Sequence, residues 1–375
     1  MSDEDLFEPD RVEGAPHPRD TAILRGQSAA EAAFLEAYTT GRLHHGWLIT
    51  GPRGVGKATL AWRIARFLLT QPPADGGLFG APPPPTSLDV DPADPTARRI
   101  AASSEGRLKL IRRTLDDKTR KPRSVIVVDD VRDLKGFFHM SAADGGRRVV
   151  IVDPVDEMNP NAANALLKEL EEPPKDATLL LISHQPSRLL PTIRSRCREL
   201  RLTTLSPTDI AAALAAAGAE GTEHAAALTE LAAGSVGEAI RITNLDGLKI
   251  YASIIALFTG LPRLDRQRAL ALADTVTGKA NEPRFDLTLT LFDLFLARLS
   301  RTGVLGTTPP EATPGEATLL PRLAPDAHAA RAWADLQQTL GAKARRGKAV
   351  NLDPATLLLD MILRIDETAA QLAGR

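Results

Sequence analysis

A glycine-rich segment lies between an apolar run and a helical pattern, and this arrangement is specific to few folds. Residues 51–59 read Gly-Pro-Arg-Gly-Val-Gly-Lys-Ala-Thr and follow an apolar, strand-like run at residues 47–50. From residue 59 to residue 69, apolar side chains recur at helical spacing. A strand, a glycine-rich loop and a helix in this order are typical of a phosphate-binding loop. The sequence therefore predicts an α/β fold in which residues 51–59, the phosphate loop, join a buried strand to a helix.

The phosphate loop has every usual part except one. In such loops the backbone N–H groups point at phosphates, a lysine adds positive charge, and a serine or threonine hydroxyl ligates Mg²⁺. Lys57 is that lysine, but Ala58 stands where the hydroxyl belongs. We expect a loop that holds ATP or ADP, with Mg²⁺ only alongside nucleotide, and that hydrolyses it poorly. The alternative is a relic whose glycines only form a tight turn. The candidate nucleotide-binding residues are Gly51, Gly54, Val55, Gly56, Lys57, Ala58, Thr59 and the more distant Asp153.

Composition narrows the functional classes. At 375 residues the chain is long enough for two or three domains, and its net charge of −1 gives it no general attraction to nucleic acid. Because Cys197 is the single cysteine, we expect neither an internal disulfide nor a zinc site. No apolar run approaches about 18 residues, and the acidic N-terminus lacks an apolar core. We therefore expect a cytoplasmic protein without a membrane span or a signal peptide.

The pattern of apolar residues changes along the chain. Strand-like and helical segments alternate as far as residue 202, which predicts a parallel sheet with helices on both faces. Only helical patterns follow, and a proline-rich loop at residues 307–325 interrupts them. The predicted organisation is a disordered leader at 1–20, a nucleotide-binding α/β domain at 21–202 with a proline- and glycine-rich insertion at 71–97, a helical lid at 203–245 and an all-helical domain at 246–375.

One predicted strand ends in a carboxylate. Asp153 follows the apolar run at 149–152, where an enzyme with a phosphate loop holds the aspartate that helps to bind Mg²⁺. The usual next residue is a glutamate that activates water, but this chain has Pro154, and Asp156 and Glu157 lie beyond it. The simpler interpretation of Asp153 is an ordinary residue at the end of a strand.

Three further segments resemble the AAA+ clamp-loader family. They are His-Gly-Trp at 45–47, Ala-Leu-Leu-Lys-Glu-Leu-Glu-Glu-Pro-Pro at 165–174 and Leu-Leu-Pro-Thr-Ile-Arg-Ser-Arg-Cys at 189–197. The Ser-Arg-Cys triplet is the most specific of these motifs. The resemblance covers residues 22 to about 243 and extends more weakly to the C-terminus. It implies an α/β P-loop AAA+ module, a small helical lid and an all-α collar through which subunits assemble.

Within that family the resemblance is to a noncatalytic stator subunit. Clamp loaders place the arginine of the Ser-Arg-Cys triplet in the nucleotide site of a neighbouring subunit, so the resemblance implies that Arg196 is an arginine finger supplied in trans. Three parts of the hydrolytic apparatus are replaced, by Ala58, by Pro154 and by Gly237 at the position of a second sensor arginine. Ser183 stands where a first sensor would fall. We therefore expect no independent ATPase activity.

The resemblance also implies partners. They are ATPase subunits of the gamma/tau type, a delta subunit, the sliding clamp and primer–template DNA, within a replicative DNA polymerase holoenzyme. The implied function is support of ATP-driven loading of the clamp onto primed DNA. The alternative is an autonomous AAA+ ATPase acting on DNA, in which Thr59 reaches Mg²⁺ and Asp156 or Glu157 activates water. Arg196 would then pair only with a carboxylate on its own surface.

Two basic stretches have more than one interpretation. The first, at 112–123, is typical of a solvated surface, with contact to DNA phosphates as the alternative. The second, at 343–348, lies in the implied collar, where pairing between subunits and contact with DNA are equally expected. The basic residues are Arg112, Arg113, Lys118, Arg120, Lys121, Arg123, Lys343, Arg345, Arg346 and Lys348.

Overall fold

An α/β unit and an all-helical unit make up the chain. The computed structural model describes residues 7–72, 83–116, 118–139 and 146–374. Unit 1 comprises the residues up to Gly218 together with Ser235–Gly237. Unit 2 comprises Ala219–Gly234 and the residues from Glu238 onward.

Among its described residues, unit 1 contains a parallel sheet of five strands. In chain order they are β1 (Gly46–Thr50), β2 (Leu108–Ile111), β3 (Arg148–Val152), β4 (Ala177–Ile182) and β5 (Arg198–Arg201). Their order across the sheet is β2-β3-β4-β1-β5, and every neighbouring pair is parallel. All residues of β1 and β4 are buried, as expected for central strands that helices cover on both faces. The predicted parallel sheet is therefore confirmed.

Helices of unit 1 connect these strands. They are α1 (Ser28–Thr39), α2 (Lys57–Thr70), α3 (Pro95–Ala101), α4 (Val128–His139), α5 (Pro160–Glu171), α6 (Pro191–Arg194) and α7 (Pro207–Ala216). The predicted apolar face of α2 is buried in full, because Leu60, Ile64 and Phe67 are at most 1% exposed. The Asn159 side chain caps α5 by accepting a hydrogen bond from the Ala162 N–H, and Pro160 occupies the first helical position.

The regular secondary structure of unit 2 is entirely helical among its described residues. Its helices are α8 (Ala225–Leu231), the greater part of α9 (Val236–Asn244), α10 (Gly247–Phe258), α11 (Arg266–Asp274), α12 (Glu282–Leu305), α13 (Glu316–Leu323), α14 (Ala327–Ala349) and α15 (Pro354–Ala373). Phe258 of α10 packs against Phe292 and Phe295 of α12 in its core. The Arg298 Nε lies 2.6 Å from Glu316 Oε1, and this buried ion pair ties α12 to α13.

The carboxyl edge of the sheet gathers the residues that the sequence singled out. The phosphate loop follows β1, Asp153 follows β3 and Ser183 follows β4. Because the strands are parallel, their carboxyl ends meet at one edge, where open α/β sheets bind ligands. The backbone N–H groups of Asp153 and Ser183 donate to the carbonyls of Ile111 and Ile49 on the neighbouring strands.

The prediction of a disordered leader is wrong for residues 7–20, which contact α2 and the loop after β2. His17 is 1% exposed, lies edge-on to the Trp62 ring and is hydrogen-bonded to Asp10 at 3.0 Å. Arg66 donates to the Thr21 carbonyl at 2.7 Å. These partners come from distant parts of the sequence, so local composition does not reveal them. Residues 1–6 lie outside the described residues.

The predicted insertion and the later proline-rich loop also contain regular structure. Within 71–97, Leu88 is buried and Asp94 caps the start of α3, whereas residues 73–82 lie outside the described residues. Helix α13 lies inside the loop predicted at 307–325. Of the helices predicted for the lid, α7 belongs to unit 1 and α8 to unit 2. In the described residues, no helix is both long enough and apolar enough to cross a membrane.

Candidate functional site

The phosphate loop has the curled backbone that its sequence predicts. Gly51, Gly54 and Gly56 all have positive φ angles, of 138°, 77° and 101°. A Cβ atom at Gly51 would lie 2.6 Å from the Leu202 carbonyl oxygen, and one at Gly54 would lie 2.2 Å from Ser235 Oγ. Since only glycine fits these two positions, close packing and the backbone conformation both fix the loop.

Lys57 is the first residue of α2 and is 3% exposed. Its ammonium donates hydrogen bonds to the carbonyls of Gly51, at 2.7 Å, and Pro52. Burial lowers the pKa of Lys57 to about 8, and the carboxylates of Asp153 and Asp156 oppose this shift. The positive charge is therefore inside the loop, where a phosphate would meet it.

Ala58 supplies no oxygen for a metal ion. The next residue, Thr59, carries a hydroxyl, but successive residues of an α-helix are rotated by about 100°, so its side chain leaves α2 in another direction. The glycines and Lys57 fit the phosphates of a nucleotide, whereas the helix start lacks the usual Mg²⁺ ligand. In the described residues, no group of three or more histidine, cysteine or acidic side chains is placed to hold a metal.

Asp153 lies at the carboxyl end of β3 and is 6% exposed. Burial raises the pKa of its carboxyl to about 7, the Asp10 carboxylate raises it further, and Lys57 opposes both effects. Asp10 is itself held by Arg112, whose Nη1 lies 2.5 Å from Asp10 Oδ1. Sequence spacing does not reveal this contribution, because 142 residues lie between Asp10 and Asp153 along the chain.

The two acids beyond Pro154 already have partners. Asp156 accepts hydrogen bonds from the Ser183 hydroxyl, at 2.7 Å, and from the backbone N–H groups of His184 and Gln185. Glu157 Oε2 lies 2.6 Å from Arg113 Nε, an ion pair without hydrogen-bond alignment. Both carboxylates are thus held by partners within the chain. The pairing of Asp156 with Ser183 joins two residues that the sequence suggested only separately.

Gly237, predicted at the place of a second sensor, contacts the phosphate loop through its backbone. Its N–H donates to the Gly54 carbonyl at 3.1 Å. A Cβ atom at Gly237 would lie 3.2 Å from the Gly54 Cα and 3.4 Å from Val12. A long side chain at this position would have to displace the loop or the N-terminal segment.

Arg196 lies at the other edge of the sheet. It precedes β5, which runs parallel to β1 with Arg198 opposite Trp47 and Arg201 opposite Thr50. A Cβ atom at Gly46, the first residue of β1, would lie 3.1 Å from the Arg196 carbonyl oxygen. Roughly 13 Å of strand therefore separates Arg196 from the phosphate loop, at about 3.3 Å per residue.

The Arg196 side chain is paired on its own surface. Its Nη2 lies 2.9 Å from Glu171 Oε1 at the end of α5, and its Nη1 donates to the Thr192 carbonyl at 3.0 Å. The side chain remains 35% exposed. This is the local pairing that the sequence left as an alternative, and it leaves part of the guanidinium open to solvent.

Half of the ten basic residues in the two basic stretches have acidic ion-pair partners within their own unit. Arg112 pairs with Asp10 and Arg113 with Glu157, whereas Lys118, Arg120 and Lys121 are exposed on a turn. In the second stretch, Lys343 lies 2.7 Å from Asp360, and Lys348 lies 2.6 Å from Asp286. Internal pairing thus accounts for much of the charge, and the predicted contacts with DNA remain predictions.

Comparison with known proteins agrees with the resemblance that the motifs indicate. The sequence profile of a family described as "DNA polymerase III, delta subunit" matches residues 26–206. The DNA polymerase III subunit delta' of Pseudomonas aeruginosa is 39% identical over 227 residues, which are 60% of this chain and 63% of that protein. The tau subunit of Escherichia coli is 29% identical over 280 residues, or 71% of this chain and 39% of that protein. The chain thus spans less than two thirds of the length of either relative.

Two solved structures from Thermotoga maritima are similar only distantly. A protein related to the gamma subunit of DNA polymerase III has a TM-score of 0.39 and 17% identity, covering 90% of this chain and 99% of its own. The RuvB Holliday junction branch migration motor has a TM-score of 0.38 and 15% identity, covering 76% and 78%. At these TM-scores the likeness carries no argument, and the fold assignment rests on strand order and the phosphate loop.

The matched segment contains the phosphate loop, Asp153 and the whole Ser-Arg-Cys motif, all placed on a parallel sheet with AAA+ architecture. Over this matched segment, the chain is therefore similar to the delta prime subunits of DNA polymerase III, as its motifs indicate.

Proposed function

We propose that the chain is the stator subunit of a DNA polymerase III clamp loader and donates Arg196 to the nucleotide site of a neighbouring subunit. In this role it supports ATP-driven loading of a sliding clamp onto primed DNA without hydrolysing ATP itself. Its partners are ATPase subunits of the gamma/tau type and a delta subunit. The clamp and primer–template DNA are reached through the assembled complex.

The observation that carries the proposal is the separation of Arg196 from its own phosphate loop. The two lie at opposite edges of one parallel sheet, with β1 and β5 between them. An arginine that stabilises charge on a γ-phosphate must touch that phosphate. Arg196 therefore acts on a nucleotide only if another molecule presents one at the amino edge of the sheet.

The state of the chain's own site supports a noncatalytic role. Ala58 provides no metal ligand, and Asp156 and Glu157 are occupied by hydrogen bonds and by Arg113. The alternative of an autonomous ATPase needs one of those carboxylates to be free and Thr59 to replace the missing hydroxyl. The observed contacts favour the first function.

We expect the isolated chain to show no steady ATP turnover. The Lys57→Ala variant, which loses the ammonium of the phosphate loop, is then expected to leave the ATP turnover of the reconstituted complex unchanged. Both quantities are measured as phosphate release. The gamma/tau-type subunits of the complex are wild type throughout. Turnover by the isolated chain that Lys57→Ala abolishes would support the autonomous ATPase instead.

A further inference from the structure

The contact between Arg196 and Glu171 joins two of the motifs by which the family was recognised. Glu171 is the last residue of α5, and Arg196 follows α6. Their side chains are 48% and 35% exposed, and the Glu171 Oε1 lies 2.9 Å from the Arg196 Nη2. The Arg196 guanidinium is therefore held from one side while part of it still faces solvent.

Both ends of this contact stand on fixed backbone. Next to Glu171, Leu170 is 2% exposed, and its carbonyl lies 3.1 Å from the His45 Nε2. The Arg196 N–H donates to the Ile193 carbonyl at 3.1 Å, and Ile193 is 1% exposed. The ion pair thus connects two anchored positions, unlike a pair between two mobile surface chains.

The chemistry of the guanidinium allows it to hold two anions at once. It has five N–H donors, of which the contacts to Glu171 and to the Thr192 carbonyl use two. Three donors remain for phosphate oxygens. A free arginine side chain has about 2 kcal/mol of rotamer entropy to lose on immobilisation, and an arginine already held in place loses less on binding a phosphate.

We propose that Glu171 is a positioning residue: its carboxylate orients the Arg196 guanidinium toward a γ-phosphate bound by the neighbouring subunit. The inference rests on the proposed function, since it requires Arg196 to act in trans. Solvent screening keeps the Glu171 carboxylate from cancelling the arginine's charge at this half-exposed position. The carboxylate acts only through Arg196 and does not touch the nucleotide.

The test compares variants of Glu171 with the adjacent Glu172, whose carboxylate has no ion-pair partner in the described part of the chain. Glu171→Gln, Glu171→Asp and Glu172→Gln are each assembled into the full complex, and kcat and KM for ATP are measured. We expect Glu171→Gln to lower kcat about threefold to tenfold, the loss of a contact worth about 1 kcal/mol. KM should change by less than about twofold, because Glu171 helps to stabilise the transition state and does not contribute to the ground-state binding of ATP. Glu171→Asp should restore part of kcat, and Glu172→Gln should change nothing.

A double-mutant cycle separates this inference from the proposed function. In an Arg196→Ala background, Glu171→Gln should have no further effect, because its partner is gone. An unchanged kcat in Glu171→Gln, or an equal loss with and without Arg196, would overturn the positioning role. If Arg196→Ala alone left turnover intact, the proposed function would itself fail. Yield of the complex and its melting temperature show for each variant whether assembly is intact.

Discussion

At the scale of single residues, the candidate nucleotide site combines one buried cation in the phosphate loop with one buried acid after β3. Lys57 and Asp153 are both almost inaccessible, and burial shifts the pKa of each toward neutrality. Lys57, with a pKa of about 8, keeps its positive charge at neutral pH, whereas the raised pKa of Asp153 makes its carboxyl a weaker metal ligand. The site therefore favours an anion more than a metal ion.

The raised pKa of Asp153 predicts how stability depends on pH. Its usual pKa is about 3.9, so between about pH 4 and pH 7 the unfolded chain ionises this carboxyl while the folded chain keeps it protonated. Folding stability is lost as pH rises through this window, and the loss is complete above pH 7. The Asp153→Asn variant has no carboxyl at this position, so its stability should not fall in this way.

We therefore expect Asp153→Asn to gain stability relative to the wild type between pH 4 and pH 8, by about 2 to 4 kcal/mol. Urea unfolding of both proteins across this range measures the difference. The effects of other titrating groups cancel because both proteins contain them. If the free energy of unfolding of the two proteins changed with pH in the same way, the pKa of Asp153 would not be raised in the folded chain.

The sequence predicted residues of the candidate site only where they belong to a contiguous motif. Lys57, Ala58 and Arg196 belong to contiguous motifs, so their positions followed directly. Asp10 and Glu171 act through contacts with residues far along the chain, and sequence spacing does not encode such contacts.

At the scale of elements, the N-terminal segment is part of the α/β unit. Asp10 is buried between Arg112 of the loop after β2 and His17 of its own segment. These neighbours lower the pKa of the Asp10 carboxyl although burial alone would raise it. The segment is thus attached to the sheet by a buried charge.

Removal of that charge should loosen the segment. We expect Asp10→Asn to lower the free energy of unfolding by about 3 kcal/mol, because Arg112 loses its buried partner. Asp129→Asn, which breaks an exposed pair with Arg132, should cost less than about 1 kcal/mol. Urea unfolding at pH 7.5 compares the two, and similar small losses would show that the Asp10 pair contributes little.

Elements with strong periodicity were predictable, and those with weak periodicity were not. The apolar runs at 47–50 and 149–152 and the helical pattern at 59–69 located β1, β3 and α2 within a residue or two. β2 has a lysine in four residues and escaped prediction, because its pairing with β3 decides its conformation. Helix α13 contains Pro321, which reads as a loop signal, yet tertiary contacts such as the Glu316–Arg298 pair keep it helical.

At the scale of the whole molecule, the chain combines a five-stranded parallel sheet and a phosphate loop with Ala58 in place of the usual hydroxyl, and we propose that it does not hydrolyse ATP. Its net charge of −1, together with the internal pairing of half of the basic residues in the two basic stretches, leaves it no general attraction to DNA. In the proposed assembly, we therefore expect contact with DNA to depend on other subunits and Arg196 to be the chemical contribution of this chain.

The proposed role of Arg196 is tested by measuring the ATP turnover of a reconstituted clamp loader that contains Arg196→Ala in this subunit alone. An arginine finger is worth about 10³ to 10⁵ in rate at the site it serves, so turnover by the complex should fall severalfold while the complex still assembles. Arg194→Ala, at an exposed arginine two residues away, is the matched control and should leave turnover unchanged. Full turnover by an assembled Arg196→Ala complex would contradict the account.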